Sequence, residues 1–180
     1  VANAGPDLSL SAGNDTTLYG SATGNRLHID WQPSAWLINP NVLMPTTLPL
    51  GLTTPFVLTI TDTLTGCIDR DTMIVTVSSS PLTILQISAQ PALVCQGDTV
   101  QLSVTAGGGS GYYTYSWTPP ALLNDSSLRQ PLAYPVSNTA FTVRVTDQLT
   151  GLFRDTLIQI QVYPRPQVAL VATTVICDGG

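Results

Sequence analysis

One stretch of sequence occurs twice and decides the fold: Phe56-Val-Leu-Thr-Ile-Thr-Asp62-Thr-Leu-Thr-Gly66 and Phe141-Thr-Val-Arg-Val-Thr-Asp147-Gln-Leu-Thr-Gly151. Apolar residues alternate with Thr or Arg in both copies, and a period of two places one face of a strand against a core. Each copy turns at Asp-x-x-Thr-Gly into a second alternating run, which predicts a β-hairpin. The copies are 85 residues apart, so the repeat is a small domain rather than a solenoid unit.

The composition indicates an all-β chain with few charges. Of the 180 residues, 43% are hydrophobic and 9% are charged, and there is no Lys or Glu. Good helix formers are therefore scarce, whereas β-branched Thr occurs 25 times. The net charge of -5 argues against nucleic acid or an anionic membrane as a partner, because both need a basic patch. No apolar run is long enough to span a bilayer, so we expect no membrane insertion.

The repeat predicts two domains and the start of a third. The first is expected at residues 1–79 and the second at 80–163, with short linkers that Pro stiffens. Trp31 and Trp117 occupy matching places in the third strand of each domain. About seven short strands per domain, with an inward Trp and a final hairpin, predict tandem immunoglobulin-like (Ig-like) β-sandwiches. Residues 164–180 are interpreted as the first strand of a truncated third repeat.

The order of these landmarks resembles a known family of repeats. Ala-Gly-Pro-Asp, Trp-x-Pro, Val-Thr-Asp, Gly-Cys and Asp-Thr follow one another as in the PKD-like and Ig-like repeats of Bacteroidetes cell-surface and gliding-adhesin proteins. The resemblance implies a non-catalytic stalk or fibre segment of a large secreted or cell-surface adhesin-like protein. It also implies an extracellular location, with neighbouring repeats as partners. The family pattern has Cys where this chain has Ser11 and Leu152.

The three cysteines suggest a hypothesis about such an array. Cys67 follows the hairpin turn, whereas Cys95 and Cys177 precede turns expected at the opposite pole of a sandwich. A bond within one unit would have to span that unit, which disulfide geometry forbids. We therefore consider disulfides between neighbouring units, and the alternative is unpaired thiols.

No catalytic motif is present, so we predict that the chain is not an enzyme. His28 is the only histidine and has no evident nucleophile beside it, and no Cys-x-x-Cys motif suggests zinc. Loop carboxylates could bind Ca²⁺, but the EF-hand spacing is absent and Asp commonly caps turns. We thus expect no cofactor, with calcium as the alternative. The calcium candidates are Asp62, Asp69, Asp71, Asp147 and Asp155.

Asp-Thr recurs before an apolar residue or Thr and resembles the O-glycosylation signal of Bacteroidetes exported proteins. The sites are expected at strand starts, where a sugar would shield sheet edges in a chain without Lys. The alternative is that Asp-Thr simply opens strands. The candidates are Thr16, Thr63, Thr72, Thr99 and Thr156.

Two further functions stay as alternatives. A carbohydrate-binding accessory module of a secreted enzyme would bind surface glycans through exposed aromatic rings, and Tyr112 beside the flexible 107–111 loop is the best candidate. A self-assembling extracellular filament subunit would instead use strand exchange. In that case the strand predicted at 168–176 would complete the sandwich of a neighbouring molecule.

Overall fold

The computed structural model describes residues 1–167, which form an all-β, Ig-like structure. Two hydrophobic clusters divide it, one formed by residues between 2 and 77 and the other by residues between 84 and 162. We call these two parts unit 1 and unit 2. The predicted boundaries at residues 79 and 163 stay predictions, and the strand expected for a third repeat lies outside the described residues.

Unit 1 is organised around a four-stranded sheet that contains the predicted hairpin. Its strands are β1 (Ala2–Asn3), β2 (Leu8–Ser11), β3 (Ser21–Ala22), β4 (Leu27–Gln32), β5 (Leu37–Ile38), β6 (Thr46–Thr47), β7 (Thr54–Asp62) and β8 (Ile68–Ser78). The main sheet has the order β2-β8-β7-β4, with β2 parallel to β8. Two short ribbons, β1 with β3 and β5 with β6, contribute the other layer.

Unit 2 repeats this plan with a more continuous second sheet. Its strands are β9 (Thr83–Gln90), β10 (Leu93–Cys95), β11 (Val100–Gly107), β12 (Tyr113–Thr118), β13 (Leu132–Ala133), β14 (Thr139–Asp147) and β15 (Phe153–Tyr163). The two sheets have the orders β10-β15-β14-β12 and β13-β11-β9. Within residues 1–167, no helix is long and apolar enough to cross a membrane.

The alternating pattern of the hairpin strands fills both cores as predicted. In β7, Phe56 and Leu58 are buried, and in β14 Phe141 and Val143 are buried, while their sequence neighbours are more exposed. This is the burial pattern of strands that have one face on a core.

Each unit also buries one indole at the matching place. Trp31 pairs with Leu58 across β4 and β7, and Trp117 pairs with Val143 across β12 and β14. Both rings are buried, and each indole N–H donates to a backbone carbonyl. The polar atom of each Trp is therefore satisfied inside the core.

Candidate functional site

The repeated Asp-x-x-Thr-Gly motif forms a tight turn at the end of the hairpin in unit 1. Asp62 Oδ1 accepts hydrogen bonds from the backbone N–H groups of Leu64 and Thr65 at 2.8 and 3.1 Å. The N–H of Gly66 donates to the carbonyl of Asp62 at 2.7 Å, and Gly66 has φ +77°, which favours glycine. The bonds from Leu64 and Thr65 lower the pKa of Asp62, so the carboxylate stays ionised.

The second copy of the motif repeats these contacts. Asp147 Oδ1 accepts from the N–H groups of Leu149 and Thr150 at 3.0 and 3.2 Å. Gly151 donates to the Asp147 carbonyl at 2.8 Å and has φ +72°. Asp147 is nevertheless completely buried, whereas Asp62 remains accessible. The two turns therefore differ in what covers them.

A glycine-rich loop covers Asp147. Ser110 donates to its carboxylate twice, from the backbone N–H to Oδ2 at 2.5 Å and from the hydroxyl to Oδ1 at 2.6 Å. A Cβ at Gly109 would lie 2.1 Å from Asp147 Oδ2, so a side chain would not fit. Burial raises the pKa of Asp147, but the bonds from Ser110, Thr150 and Leu149 outweigh it and leave that pKa lowered. The loop expected to be flexible is thus fixed by a buried carboxylate.

The turn of unit 2 packs directly on unit 1. A Cβ at Gly51 would lie 2.4 Å from the Cβ of Leu149 and 2.8 Å from its carbonyl carbon and oxygen. A Cβ at Gly13 would lie 2.1 Å from the carbonyl oxygen of Ser110. Trp36 and Leu50 line a small cavity of about 180 Å³ beside this contact. Leu149 therefore occupies a socket that exists only because unit 1 has glycines at its edge.

The linker takes part in the same junction. Leu82 is 1% exposed, yet it belongs to neither hydrophobic cluster. Gly109 donates its N–H to the carbonyl of Ser80 at 2.7 Å. At Gly108, a Cβ would lie 2.0 Å from the carbonyl oxygen of Pro81. The linker is therefore packed against the loop that covers Asp147 rather than extended into solvent.

The calcium candidates in unit 1 serve the first strand. Asp69 and Asp71 accept the N–H groups of Ala2 and Ala4 at 2.8 and 2.7 Å. The bonds from Ala2 and Arg70 lower the pKa of Asp69. These carboxylates thus act as backbone acceptors for the segment that runs beside β8.

The remaining candidate has an arginine partner. Asp155 forms a bidentate ion pair with Arg144 at 2.8 and 2.9 Å, which lowers the pKa of Asp155. The structure thus gives the five candidate carboxylates separate partners. Over residues 1–167, it shows no group of three or more His, Cys, Asp or Glu side chains arranged to hold a metal ion.

The cysteines lie where the repeat predicts, but their pairing stays a prediction. Cys67 is exposed at the hairpin turn of unit 1, and Cys95 is half-buried at the end of β10. Neither forms a disulfide within the described residues. Cys177 lies outside them.

The glycosylation candidates differ in position from what we expected. Thr63, Thr72 and Thr99 are exposed, and Thr16 and Thr156 are half-buried. Thr72 and Thr156 lie inside β8 and β15 rather than at strand starts, because pairing with the preceding strand continues almost back to the turn. The hydroxyl of Thr63 donates to the carbonyl of Arg26 at 2.7 Å. Glycosylation itself stays a prediction.

Tyr112, the candidate sugar contact, lies at the junction. Its ring carbon Cε2 would be 3.3 Å from a Cβ at Gly13, and the side chain is 45% exposed. Gln148 donates its N–H to the carbonyl of Tyr112 at 2.9 Å. The structure therefore places this ring beside the contact between the units.

The junction residues were not identified from the sequence. Gly13 and Gly51 look like ordinary turn glycines, and Leu82 looks like a linker residue. The available signal was the leucine at the third position of both Asp-x-Leu-Thr-Gly turns, which is unusual because an apolar side chain at a turn tip lacks a core to enter.

Comparisons with known proteins give only structural likenesses. No protein-family model matches the sequence, and no curated protein matches it. Similar solved structures include the N-terminal eight Ig domains of Down Syndrome Cell Adhesion Molecule, at 13% identity and a TM-score of 0.38 over 91% of this chain and 24% of that one. Drosophila OTK extracellular domains 3–5 match at 10% identity and 0.41 over 89% and 60%. Titin domains Z1 and Z2, in a complex with telethonin, match at 12% and 0.39 over 89% and 94%.

The chain spans less than two thirds of the length of the first of these structures, and the same holds for the second. The fold assignment therefore rests on the strand order, the register and the buried indoles described above.

Proposed function

We propose that this chain is a non-catalytic structural segment, a stalk or fibre piece, of a large secreted or cell-surface protein. The observation that carries the proposal is the junction, where Leu149 of one unit occupies the glycine-edged socket of the other. A stalk must hold its tip at a distance, and units joined by a loose tether could not do so.

Several features support this role. The linker residue Leu82 is buried, and the loop beside it is bonded to Ser80 and to Asp147. Each unit has its own indole-centred core, so the units are built as repeats of one plan. The resemblance to PKD-like repeats of Bacteroidetes surface proteins adds an extracellular setting and neighbouring repeats as partners. In that setting, O-glycans on the exposed Asp-Thr sites and disulfides between repeats would protect and join the array.

The proposal is tested by measuring how the two units tumble. Backbone ¹⁵N relaxation of the intact chain should give one shared rotational correlation time and axis for both units. Two independent correlation times, each typical of a domain of about 80 residues, would contradict a stalk.

A second candidate, a filament subunit that uses strand exchange, is favoured by one groove in unit 2. This groove of about 450 Å³ lies between β9 and β15 and is lined by residues 83–87 and 154–156. β10 pairs with β15 only at Gln161–Tyr163, so the outer edge of β15 near the hairpin has no strand beside it from β10. An extended segment of another molecule could pair there.

This alternative makes a distinct prediction about the last residues of the chain. The intact protein should form fibres as its concentration rises, and deletion of 168–180 should abolish them. Fibres that persist after this deletion would contradict strand donation by that segment.

A further inference from the structure

We propose that the hairpin pole of unit 1 is a docking surface for another Ig-like unit, one that has a glycine-edged socket like that of unit 1. The hairpin pole here means residues 62–68, and the socket means Gly13, Leu50 and Gly51. The proposal rests on the array function, and it specifies which surface of which unit forms the next contact.

The first line of support is that unit 1 presents the same turn that unit 2 uses. The backbone bonds to Asp62 and to Asp147 have the same partners and nearly the same lengths. These bonds fix the leucine two residues after the Asp in the same way in both turns. Leu149 is half-buried in the socket, whereas Leu64 is 74% exposed. Leu64 is thus held in the conformation of an interface residue that has no partner within residues 1–167.

The neighbouring residues extend this surface. Ile68 begins β8 beside the turn and is 58% exposed, and Cys67 between them is exposed. Apolar side chains at a turn gain little in isolation, but they are buried when a second unit covers them.

The second line of support is the construction of the socket. Gly13 donates its N–H to the carbonyl of Leu50 at 2.8 Å, which joins the two loops that form the socket. Leu50 is 1% exposed and closes the floor. Gly51 lets the backbone of the incoming turn approach to a distance that no side chain would allow.

The exit pole of unit 2 does not offer the same socket. Its loop has the single residue Ser137 between Val136 and Asn138, where unit 1 has Gly51 and Leu52 between Leu50 and Thr53. The equivalence of Thr53 and Asn138 follows from their side chains, which accept the N–H of Val77 and of Val162, respectively.

Two further differences separate this pole from the socket of unit 1. Arg165 donates to the carbonyl of Gln96 and to Asp98 there, and so covers the edge at Gly97. The sequence matches Pro81-Leu82 to Pro166-Gln167, so exposed Gln167 stands where buried Leu82 precedes unit 2. The partner of Leu64 is therefore a unit of the unit 1 type.

The test adds a second copy of residues 1–82 in front of the intact chain, so that Leu82 of the added copy precedes Val1 as it precedes Thr83. This register follows from the pairing of Ala2 with Ala22 and of Ile84 with Ala106. Solvent paramagnetic relaxation of leucine methyl groups reports exposure. In the intact chain, Leu64 should relax several-fold faster than Leu149. In the fusion, Leu64 of the original copy should be protected to within about two-fold of Leu149, since docking removes it from solvent.

Two matched fusions define specificity. Gly51→Ala in the added copy should return Leu64 to its fast relaxation, because the new methyl group occupies the place of the incoming turn. A fusion with residues 80–167 in place of 1–82 should leave Leu64 exposed. Equal exposure of Leu64 in the first fusion and the intact chain, while Leu149 stays protected, would overturn this inference alone. A Leu149 that is exposed in the intact chain would overturn the proposed function as well.

Discussion

At the scale of single residues, Asp62 and Asp147 occupy the same place in the same turn but differ in burial. The sequence predicts the turn, because Asp accepts hydrogen bonds from the N–H groups that follow it. It does not predict the burial of Asp147, which requires the two bonds from Ser110, a residue far away in the chain. The expectation of a flexible glycine loop was wrong for the same reason, since glycine composition does not show which acceptor fixes the loop.

We expect Asp147→Asn to destabilise unit 2 by about 1–3 kcal/mol, because it replaces a charged acceptor by an amide that cannot accept all four bonds. Asp62→Asn is the matched control and should cost less, since that carboxylate lacks the two bonds from the serine and is accessible. Urea unfolding of both variants measures the difference. Equal losses of stability would show that the bonds from Ser110 contribute nothing.

The lowered pKa of Asp147 also predicts a dependence on pH. Its folded pKa lies below the ordinary value of 3.8, so the ionised form stabilises the folded chain. This stabilisation is complete above the unfolded pKa and is lost as pH falls through the folded pKa. Urea midpoints measured from pH 7 to pH 2 should therefore fall below about pH 4. The fall should be shallower in Asp147→Asn, and parallel curves for the two proteins would contradict the assignment.

At the scale of elements, alternation predicted the hairpin strands, because one face of each is buried. Trp31 and Trp117 were placed inward on the same grounds, which the structure confirms. The same pattern could not reveal that Thr72 and Thr156 lie inside strands, since the exposed ends of β8 and β15 are paired through backbone groups whatever their side chains are. Nor could it show that Asp69 and Asp71 bind the first strand, a contact across 67 residues of chain.

Trp117→Ala should destabilise unit 2 by about 3–5 kcal/mol, because it removes the largest side chain of that core and leaves a cavity. Ser116→Ala on the opposite, exposed face of β12 should change stability by no more than about 0.5 kcal/mol. Chemical unfolding monitored by circular dichroism would check both. A mild effect of the Trp substitution would contradict the assigned faces of β12.

The ion pair between Arg144 and Asp155 is expected to matter much less. Both side chains are largely exposed, at 52% and 40%, and exposed pairs contribute little because water screens them. Arg144 also lies 4.1 Å above the ring of Phe153. Arg144→Ala should therefore lower the urea midpoint only slightly, and a loss comparable to that of Trp117→Ala would show that this face is covered in solution.

At the scale of the whole molecule, the two units are joined by contacts that neither unit's own pattern contains. Composition and the repeat predicted two sandwiches in line, but they could not tell a packed junction from a loose one. That distinction depends on Gly51 and Gly13, whose role is the absence of a side chain. A missing Cβ leaves no periodic signal, so this feature became visible only in three dimensions.

The central claim, that the seat of Leu149 on Gly51 holds the units in one orientation, is tested most directly by spin-label distances across the junction. Labels would be placed at exposed Thr72 and Gln159, in a chain whose cysteines are otherwise replaced by Ser. Gly51→Ala is the test variant, because Gly51 lies outside the left-handed region and alanine strains no backbone there. Ser137→Ala at the exposed pole of unit 2 is the control. We predict one narrow distance distribution for the parent and for Ser137→Ala, and a broad one for Gly51→Ala with both units still folded. A broad distribution in the parent chain would contradict the claim.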